Sequence, residues 1–469
     1  MPLNILALLV ATGLSTATVA APATQERAGS ARVSAAPQLQ VPALAYTHRR
    51  LPNGLQVIAL EDHGSPTVSV QVWYHVGSKD DPPGRSGFAH LFEHMMFKAT
   101  RHLKNEQFDR LTEDVGGFNN AFTGDDVTGY EAVVPSNHLE TLLWAEAERL
   151  SNLQVDQAAF DSERAVVQEE YRQRVLASPY GRFFNAVSSA PYLKHPYRRP
   201  GIGSIEELQA ATLDDVVAFH RRFYRPDNAT LVVAGDFDPQ QLQAWVDRYF
   251  APLPRPAEPI PRVDEAEPRW AVDRQLHEQG PNVPLPAVAL VWQAPPVTSA
   301  DSAALRVAEA LLSAGESSRL NQSLVYRQRV ASQAGFSADL RTGPGLLIAY
   351  AIAAGGHAPE RLARELESEL RRLARGPIAA AELAKVKTQL LTSALLQRET
   401  AHGKASALAD AATVHGDPEQ ANRWLQQLQA VRATDVQRVL QRQLTGHKVL
   451  LRYTQAPAPA NPANKGGVQ

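Results

Sequence analysis

The sequence predicts an α+β protein made of two similar domains, and three observations support this prediction. Strand-like and helix-like patterns are mixed without the strict alternation of a parallel sheet. Residues 251–268 contain six prolines in eighteen positions, which predicts an extended, semi-rigid linker. The order of elements before this linker recurs in outline after it, which indicates an internal duplication. We therefore expect one domain over residues 45–250 and a second over residues 269–455.

The first half contains both kinds of element. The stretch "TVSVQVWYHVGS" predicts a half-buried strand, and "EDHGSPT" before it resembles a hairpin connection. Helices are predicted at "SGFAHLFEHMMFKAT", "NEQFDRLTEDVGG", "NHLETLLWAEAERLSNL" and "DQAAFDSERAVVQEEYRQRV", the last with Asp156 at its start. We expect one further strand in "NAFTGDDVTGYEAVVP", and "ATLVVAGDF" closes the half between two helical segments. In the first strand, apolar residues share one face: Val68, Val70, Val72, Tyr74 and Val76.

The second half repeats this layout with longer helices. Strands are predicted at "AVALVWQAP" and "GLLIAYAIAAG". Helices are predicted at "SAALRVAEALLSAG", "ERLARELESELRRLAR" and "AAELAKVKTQLLTSALLQRE". This recurrence is the basis for expecting a second domain of similar architecture.

Composition excludes several classes of protein and of site. The 469 residues include 47 basic and 49 acidic side chains, so the chain lacks the positive charge of a nucleic-acid-binding protein. It has no cysteine, which excludes disulfides and thiolate metal sites. Any metal ion must therefore be bound by His, Asp or Glu.

The N-terminal stretch resembles an export signal. Residues 1–23 contain an apolar run followed by small residues, with expected cleavage after Ala20 or Ala23 and hence a periplasmic protein. The alternative is a buried N-terminal helix, since no Lys or Arg precedes the run. We expect a flexible leader over 24–44, a disordered tail over 456–469, and no membrane span in the mature chain.

One short segment, "GFAHLFEHMMFKAT", carries the chemistry. On a helix, His90 and His94 are four residues apart and share a face, with Glu93 beside them. Two imidazoles at this spacing can bind one metal ion, and a neighbouring carboxylate can accept a proton from water. This His-x-x-Glu-His order inverts the commoner zinc-peptidase motif. The alternative is a surface helix that carries three polar residues by accident.

A third ligand is available in "SERAVVQEE". Glu163 and Glu170 are seven residues apart and share a helix face, whereas Glu169 points elsewhere. Two histidines, one glutamate and an open fourth position are typical of a catalytic zinc site, with one Zn²⁺ per chain. In the alternative interpretation, both glutamates are solvated charges on a surface helix.

Four stretches resemble the inverzincin peptidases, the group of pitrilysin, insulinase and the mitochondrial processing peptidase. They are "GSKDDPPGRSGFAHLFEHMMFKAT", "GGFNNAFTGDDVTGY", "FDSERAVVQEE" and "ATLVVAGDFDPQQL". The resemblance implies that each domain is a mostly antiparallel sheet flanked by helices. It also implies that Glu170 ligates zinc together with His90 and His94, and that Glu163 is a supporting acid.

The same resemblance implies metal-assisted peptide hydrolysis. Glu93 would take the proton of the zinc-activated water and later deliver it to the leaving amine. The segment "NNAFTGDDVTGY" would be an edge strand that pairs with an extended peptide, with Asn120, Ala121 and Thr123 at the rim of the cleft. These three could equally be ordinary strand and turn residues.

The second half departs from the family pattern at the metal motif and at a substrate-bracing pair. Arg306 and Ala310 stand where the histidines would be, so this half is not expected to bind zinc. Active relatives carry an Arg and a Tyr seven residues apart. Here their places hold Val325 and Ser332, while Tyr326 and Arg327 are out of register.

These departures predict a division of labour. We expect a zinc endopeptidase for unfolded peptides that needs a homologous partner subunit, as a heterodimer or a homodimer, to supply the missing pair. The alternative is a non-catalytic structural or peptide-binding subunit that kept a metal site.

Overall fold

A computed structural model describes residues 41–457 of the chain. The predicted signal peptide, residues 24–40 of the leader and residues 458–469 of the tail lie outside the described residues. Two sheets flanked by helices form the described part, which confirms the α+β prediction. Within residues 41–457, no helix combines the length and apolarity needed to cross a bilayer.

The first sheet has six strands in the order β1-β2-β6-β3-β5-β4. All its pairs are antiparallel except β2 with β6. Because β6 lies between β2 and β3, the predicted hairpin at "EDHGSPT" is wrong. The strands are β1 (Thr47–Arg50), β2 (Gln56–Glu61), β3 (Thr67–Tyr74), β4 (Phe118–Thr123), β5 (Thr128–Pro135) and β6 (Ala229–Gly235).

The described part of the first half contains eight α-helices. They are α1 (Phe88–Met95), α2 (Gln107–Glu113), α3 (Leu139–Asn152), α4 (Gln157–Tyr171), α5 (Gly181–Ser189), α6 (Ile205–Gln209), α7 (Leu213–Phe223) and α8 (Pro239–Tyr249). Asp156 caps α4 as predicted, because its side chain accepts a hydrogen bond from the backbone N–H of Ala159. A π-helical segment, Arg172–Ala177, continues directly from α4.

The second sheet has five strands in the order β7-β11-β8-β10-β9. The strands are β7 (Arg274–Gly280), β8 (Ala287–Ala294), β9 (Ala331–Asp339), β10 (Gly345–Ala353) and β11 (Lys448–Gln455). The helices of this half are α9 (Ser302–Ser313), α10 (Pro359–Arg375), α11 (Ala380–Gln397), α12 (Ala401–Thr413), α13 (Gln420–Ala430) and α14 (Ala433–Gln443). If β1 is left out, β2-β6-β3-β5-β4 of the first sheet corresponds strand by strand to β7-β11-β8-β10-β9 of the second. Each sheet also has one parallel pair, as a duplication requires.

Each half packs a helix on the other half's sheet. Helix α12 packs on β3 and β6, so Ser69, Gln71 and Trp73 on the second face of β3 are buried as well. The prediction of a half-buried β3 is therefore wrong, because a distant segment covers its other face. In return, α5 packs Phe183 and Val187 into the core of the second sheet.

The segment "NAFTGDDVTGYEAVVP" forms two strands rather than the single predicted strand. Gly124 begins the connection between β4 and β5, and its N–H donates to the carbonyl of Val127. Strand β4 lies at the edge of the sheet and pairs only with β5 among the described strands. Within residues 41–457, the outer backbone edge of β4, beside α1, is therefore unpaired.

Residues 251–268 contain neither helix nor strand, as expected for a proline-rich segment. The segment runs along the first half. Arg225 donates hydrogen bonds to the carbonyls of Pro256 and Glu258, and Arg262 donates to the carbonyl of His75. The domain boundaries at either end of it stay predictions.

Candidate metal centre

Helix α1 is held firmly at its N-terminus. The buried carboxylate of Asp81 accepts hydrogen bonds from the backbone N–H groups of Gly87 at 2.8 Å and Ala89 at 2.7 Å, which satisfies donors that a helix start leaves free. Gly87 has φ 89°, and a Cβ there would come within 2.7 Å of the carbonyl oxygen of Ile202. One face of the helix is fully buried in the core by Phe88, Leu91, Phe92 and Met95.

The other face of α1 brings the two predicted histidines to the predicted glutamate of α4. The Nε2 atoms of His90 and His94 lie 3.5 Å and 3.8 Å from Oε2 of Glu170. One ligand atom from each of the three residues lies within 4.8 Å of the other two. No other group of three such residues with metal-binding spacing occurs within residues 41–457.

These three side chains fit a zinc ion. The two N···O separations are longer than those of good hydrogen bonds. They are close to the distance of about 3.3 Å that separates two ligand atoms bound to one tetrahedral zinc ion. Two imidazoles and one carboxylate are a ligand set that zinc prefers. Nδ1 of His90, the ring nitrogen other than the one near Glu170, is buried and has no hydrogen-bond partner among the described residues.

The ligand side chains also have polar atoms that face away from the proposed metal position, and two of these atoms have partners in the protein. Oε1 of Glu170 lies 2.6 Å from the Arg174 guanidinium, which leaves Oε2 facing the histidines. Glu163 lies on the far side of His94, with Oε2 3.2 Å from Nδ1 of that ring and Oε1 2.6 Å from Nζ of Lys98. Glu163 therefore contacts a predicted ligand rather than the space between the ligands.

Glu93 is buried beside this group, with 9% of its surface exposed. The hydroxyl of Thr123, the last residue of β4, donates a hydrogen bond of 2.5 Å to its Oε2. Burial raises the pKa of Glu93 above its ordinary value, although the Thr123 hydrogen bond opposes the shift. A carboxylate with a raised pKa is better suited to accept a proton near neutral pH.

The ring of His90 is held in the form that binds metals. Burial, followed by the neighbouring His94 and Arg174, lowers the pKa of His90 to about 3, so the imidazole is neutral at neutral pH. Burial raises the pKa of Glu163, but the hydrogen bonds from His94 and Lys98 outweigh it and the pKa falls below the ordinary value. Glu163 is thus a carboxylate under the same conditions.

The three predicted cleft residues divide between the two faces of β4. Thr123 faces Glu93, and Ala121, two residues earlier, packs against the core beneath α1. Asn120 stands opposite Glu131 of β5, whose carboxylate bonds His402 of α12 on the other face of the sheet. Because successive side chains of a strand point to opposite faces, Asn120 lies on the face of β4 that is turned away from Glu93.

In the second half, other residues stand at the positions of the two histidines and near those of the Arg–Tyr pair. Arg306 pairs with Glu309 on the same helix, and Ala310 is buried. Tyr326 is 47% exposed in the π-helical segment Asn321–Arg327, and Ser332 donates a hydrogen bond to the carbonyl of Ile352.

The spacing in the sequence also indicated two residues that the predicted site left out. Arg174 follows Glu170 by four residues and pairs with it, whereas Lys98, four residues after His94 but beyond the end of α1, contacts Glu163 instead. The bond between Thr123 and Glu93 had no such signal, because it joins a strand to a helix.

Comparison with known proteins places both halves in one family. Residues 56–204 match the description "Insulinase (Peptidase family M16)", and residues 210–390 match "Peptidase M16 inactive domain". The zinc protease PqqE of Helicobacter pylori is 34% identical over 367 residues, which is 77% of this chain and 82% of that protein.

Solved structures share the fold. A protease from Helicobacter pylori superposes with a TM-score of 0.84 at 30% identity and covers 87% of this chain and 99% of its own. The periplasmic protease PqqL from Escherichia coli superposes with a TM-score of 0.69 at 19% identity, over 87% of this chain and 47% of its own, which is a likeness of fold alone.

Proposed function

Because this chain belongs to the M16 family of zinc peptidases, we propose that it is a zinc-dependent endopeptidase that hydrolyses unfolded peptides. The observation that carries the proposal is the convergence of His90, His94 and Glu170 from two helices, with Glu93 buried beside them.

His90, His94 and Glu170 would hold one zinc ion per chain. When bound, the ion would polarise a peptide carbonyl and make water more acidic. Three protein ligands leave a position open, as catalytic zinc sites do. Glu163 is then a positioning residue, because its carboxylate fixes the His94 ring through Nδ1, a role that carboxylates commonly have beside metal-binding histidines.

Glu93 would carry the proton. Its carboxylate accepts a proton from the attacking water as the hydroxide adds to the peptide carbonyl, and returns it to the amine nitrogen as the C–N bond breaks. Thr123 orients Glu93 by donating to Oε2, which leaves Oε1 for the water. Burial supports this role because it raises the pKa of the carboxylate.

The substrate would bind along β4. An extended peptide can add to the free edge of this strand through backbone hydrogen bonds, which select for unfolded chains rather than for one sequence. Ala121 and Thr123 would lie on the metal-facing side of the bound peptide. Asn120 would contact side chains on the opposite side.

A homologous partner subunit would complete the site, in a heterodimer or a homodimer. Val325 and Ser332 replace the bracing Arg and Tyr of active relatives, and the second half matches a family description of an inactive domain. The same observation favours the second candidate function, a non-catalytic structural or peptide-binding subunit. The intact set of His90, Glu93, His94 and Glu170 supports the enzyme.

We place the protein in the periplasm, after removal of an N-terminal signal by cleavage after Ala20 or Ala23. The apolar N-terminal run supports export, and PqqL of Escherichia coli, which shares the fold, is described as a periplasmic protease.

Metal analysis and cleavage assays test the proposal together. The purified chain should contain one zinc per molecule, and a mixture of unstructured fluorogenic peptides should be cleaved by the chain alone or with a homologous partner that carries the Arg and Tyr. Chelation should abolish cleavage and zinc should restore it. Bound zinc without cleavage in either mixture would favour the non-catalytic subunit.

A further inference from the structure

A loop of the second sheet forms an ion pair and hydrogen bonds with the turn between β4 and β5. Asp125 and Asp126 lie on this turn, and Arg341 and Thr342 lie in the loop between β9 and β10. One guanidinium nitrogen of Arg341 lies 3.2 Å from Oδ2 of Asp125. The backbone N–H of Thr342 donates to Oδ2 of Asp126 at 2.9 Å, and its hydroxyl donates to Oδ1 of the same carboxylate.

The same turn is also bound to the segment that leads into α1. Ser78 donates its hydroxyl to Oδ1 of Asp125 at 2.8 Å, and Nζ of Lys79 lies 2.6 Å from Oδ1 of Asp126. The packing is close, since a Cβ on Gly77 would lie 2.5 Å from the carbonyl oxygen of Gly124. Asp81, which caps α1, follows directly in this segment.

The turn at Asp125 and Asp126 is connected to Glu93 in two ways, through α1 and through β4. Glu93 lies on α1, whose N-terminus is fixed by the segment that includes Lys79 and Asp81. Its hydrogen-bond donor Thr123 lies on β4, two residues before Asp125. The turn that follows Thr123 is therefore bonded both to the loop of the second sheet and to the segment that leads into α1.

We propose that the second half, which lacks the His-x-x-Glu-His motif, positions Glu93 in cis, with Arg341 and Thr342 as the positioning residues that act through the turn at Asp125 and Asp126. The proposal rests on the proposed function, because it assigns a role in that reaction to the half without the proposed metal ligands. Neither residue needs to contact substrate or metal.

Attachment of the two halves does not require these charges. Helices α5 and α12 already join the halves through apolar cores. A buried ion pair adds little net stability compared with apolar residues of similar volume, but it fixes one geometry. Arg341 has a side chain only 6% exposed, is also bound to Asp339 at 2.7 Å, and stacks over Tyr197 at 4.7 Å, so its position is strongly constrained.

The expected consequence is a defect in turnover rather than in binding. A general base must lie within hydrogen-bonding reach of the water it activates, and a displacement of about 1 Å costs on the order of a hundredfold in rate. The free edge of β4 remains available for the peptide backbone, so KM should change little.

Two matched pairs of variants test the proposal. Thr342→Val removes the hydroxyl that bonds Asp126, whereas Thr342→Ser keeps it. Arg341→Met breaks the contact with Asp125, whereas Arg442→Met breaks an ion pair with Asp301 that lies wholly within the second half. The full-length chain is assayed with unstructured fluorogenic peptides, with the partner present if the chain alone is inactive, and hydrogen exchange is measured for residues 88–96 and 118–127.

We expect Thr342→Val and Arg341→Met to lower kcat by about tenfold or more, with KM within about twofold and zinc content unchanged. Exchange should rise at 118–127 in these two variants but not in Thr342→Ser or Arg442→Met. An unchanged kcat, or a fall matched by Arg442→Met, would overturn the proposal. If the wild type cleaves no peptide, the proposed function fails, and exchange that stays unchanged in Arg341→Met and Thr342→Val separately refutes the coupling.

Discussion

The hydroxyl of Thr123 donates a 2.5 Å hydrogen bond to the Glu93 carboxylate and thereby joins the edge strand β4 to the helix that carries both histidines. The strand proposed to bind the peptide and the residue proposed to move the proton are therefore in direct contact. A peptide that adds to β4 would lie beside Glu93.

Glu93→Gln should keep zinc and lose hydrolysis. The amide preserves the size of the side chain and can still accept a hydrogen bond from Thr123, but it cannot take a proton from water. We expect kcat to fall by about a hundredfold to ten-thousandfold, with zinc at one per chain. Peptide cleavage near the wild-type rate in this variant would contradict the role of Glu93.

Thr123→Val should impair turnover without loss of metal. The substitution removes the hydrogen bond to a charged carboxylate, which is worth about 1.5–3 kcal/mol, so kcat should fall by about tenfold to a hundredfold. Thr123→Ser retains the hydroxyl and serves as the control. Equal kcat values for the two variants would show that the hydroxyl has no part in orienting Glu93.

Glu170→Gln should weaken zinc binding by more than about a hundredfold, because it removes the charge of a proposed ligand. Glu169→Gln is the matched control, since the neighbouring Glu169 pairs with Arg172 at the surface. Zinc content after dialysis against a mild chelator is the measurement. Full zinc occupancy in Glu170→Gln would exclude this residue as a ligand.

Glu163→Ala should also weaken zinc binding, by about tenfold to a hundredfold, because His94 loses the carboxylate that fixes its ring. Glu163→Gln should have a smaller effect, since its amide oxygen can still accept from Nδ1 of His94. Competition with a zinc-binding dye gives both affinities. If Glu163→Ala and the wild type bound zinc with the same affinity, Glu163 would have no role in orienting His94, and its only contact of note among the described residues would be the ion pair with Lys98.

Asp126 should contribute stability that depends on pH. Burial raises the pKa of its carboxyl, but Lys79 and the bonds from Thr342 outweigh burial and bring the pKa below the ordinary value of 3.8. Because the folded-state pKa is depressed, the stabilisation is complete above that value and is lost as pH falls through the folded-state pKa.

Urea unfolding of Asp126→Asn and the wild type over a range of pH measures this contribution. We expect a difference of about 3 kcal/mol at neutral pH that shrinks in the acid range below the ordinary pKa. A difference that stays constant across that range would mean that the charge of Asp126 is not what stabilises the fold.

The sequence determined the features that local spacing encodes. The 3.6-residue period of a helix places His90 and His94 on one face and Glu163 and Glu170 on another, so the composition of the proposed site followed from the motif positions. The period of two identified β3, and the proline-rich segment separated two copies of one layout. These inferences needed only neighbours along the chain.

Only the tertiary structure decided which faces meet. Strand β6 enters between β2 and β3 and replaces the expected hairpin, and α12 arrives from the second half to bury the far face of β3. The contacts of Glu93 with Thr123, and of Asp126 with Thr342, join segments 30 and 216 residues apart. Such pairings depend on the packing of whole elements, and no periodicity in a single segment specifies the partner that its exposed face will meet.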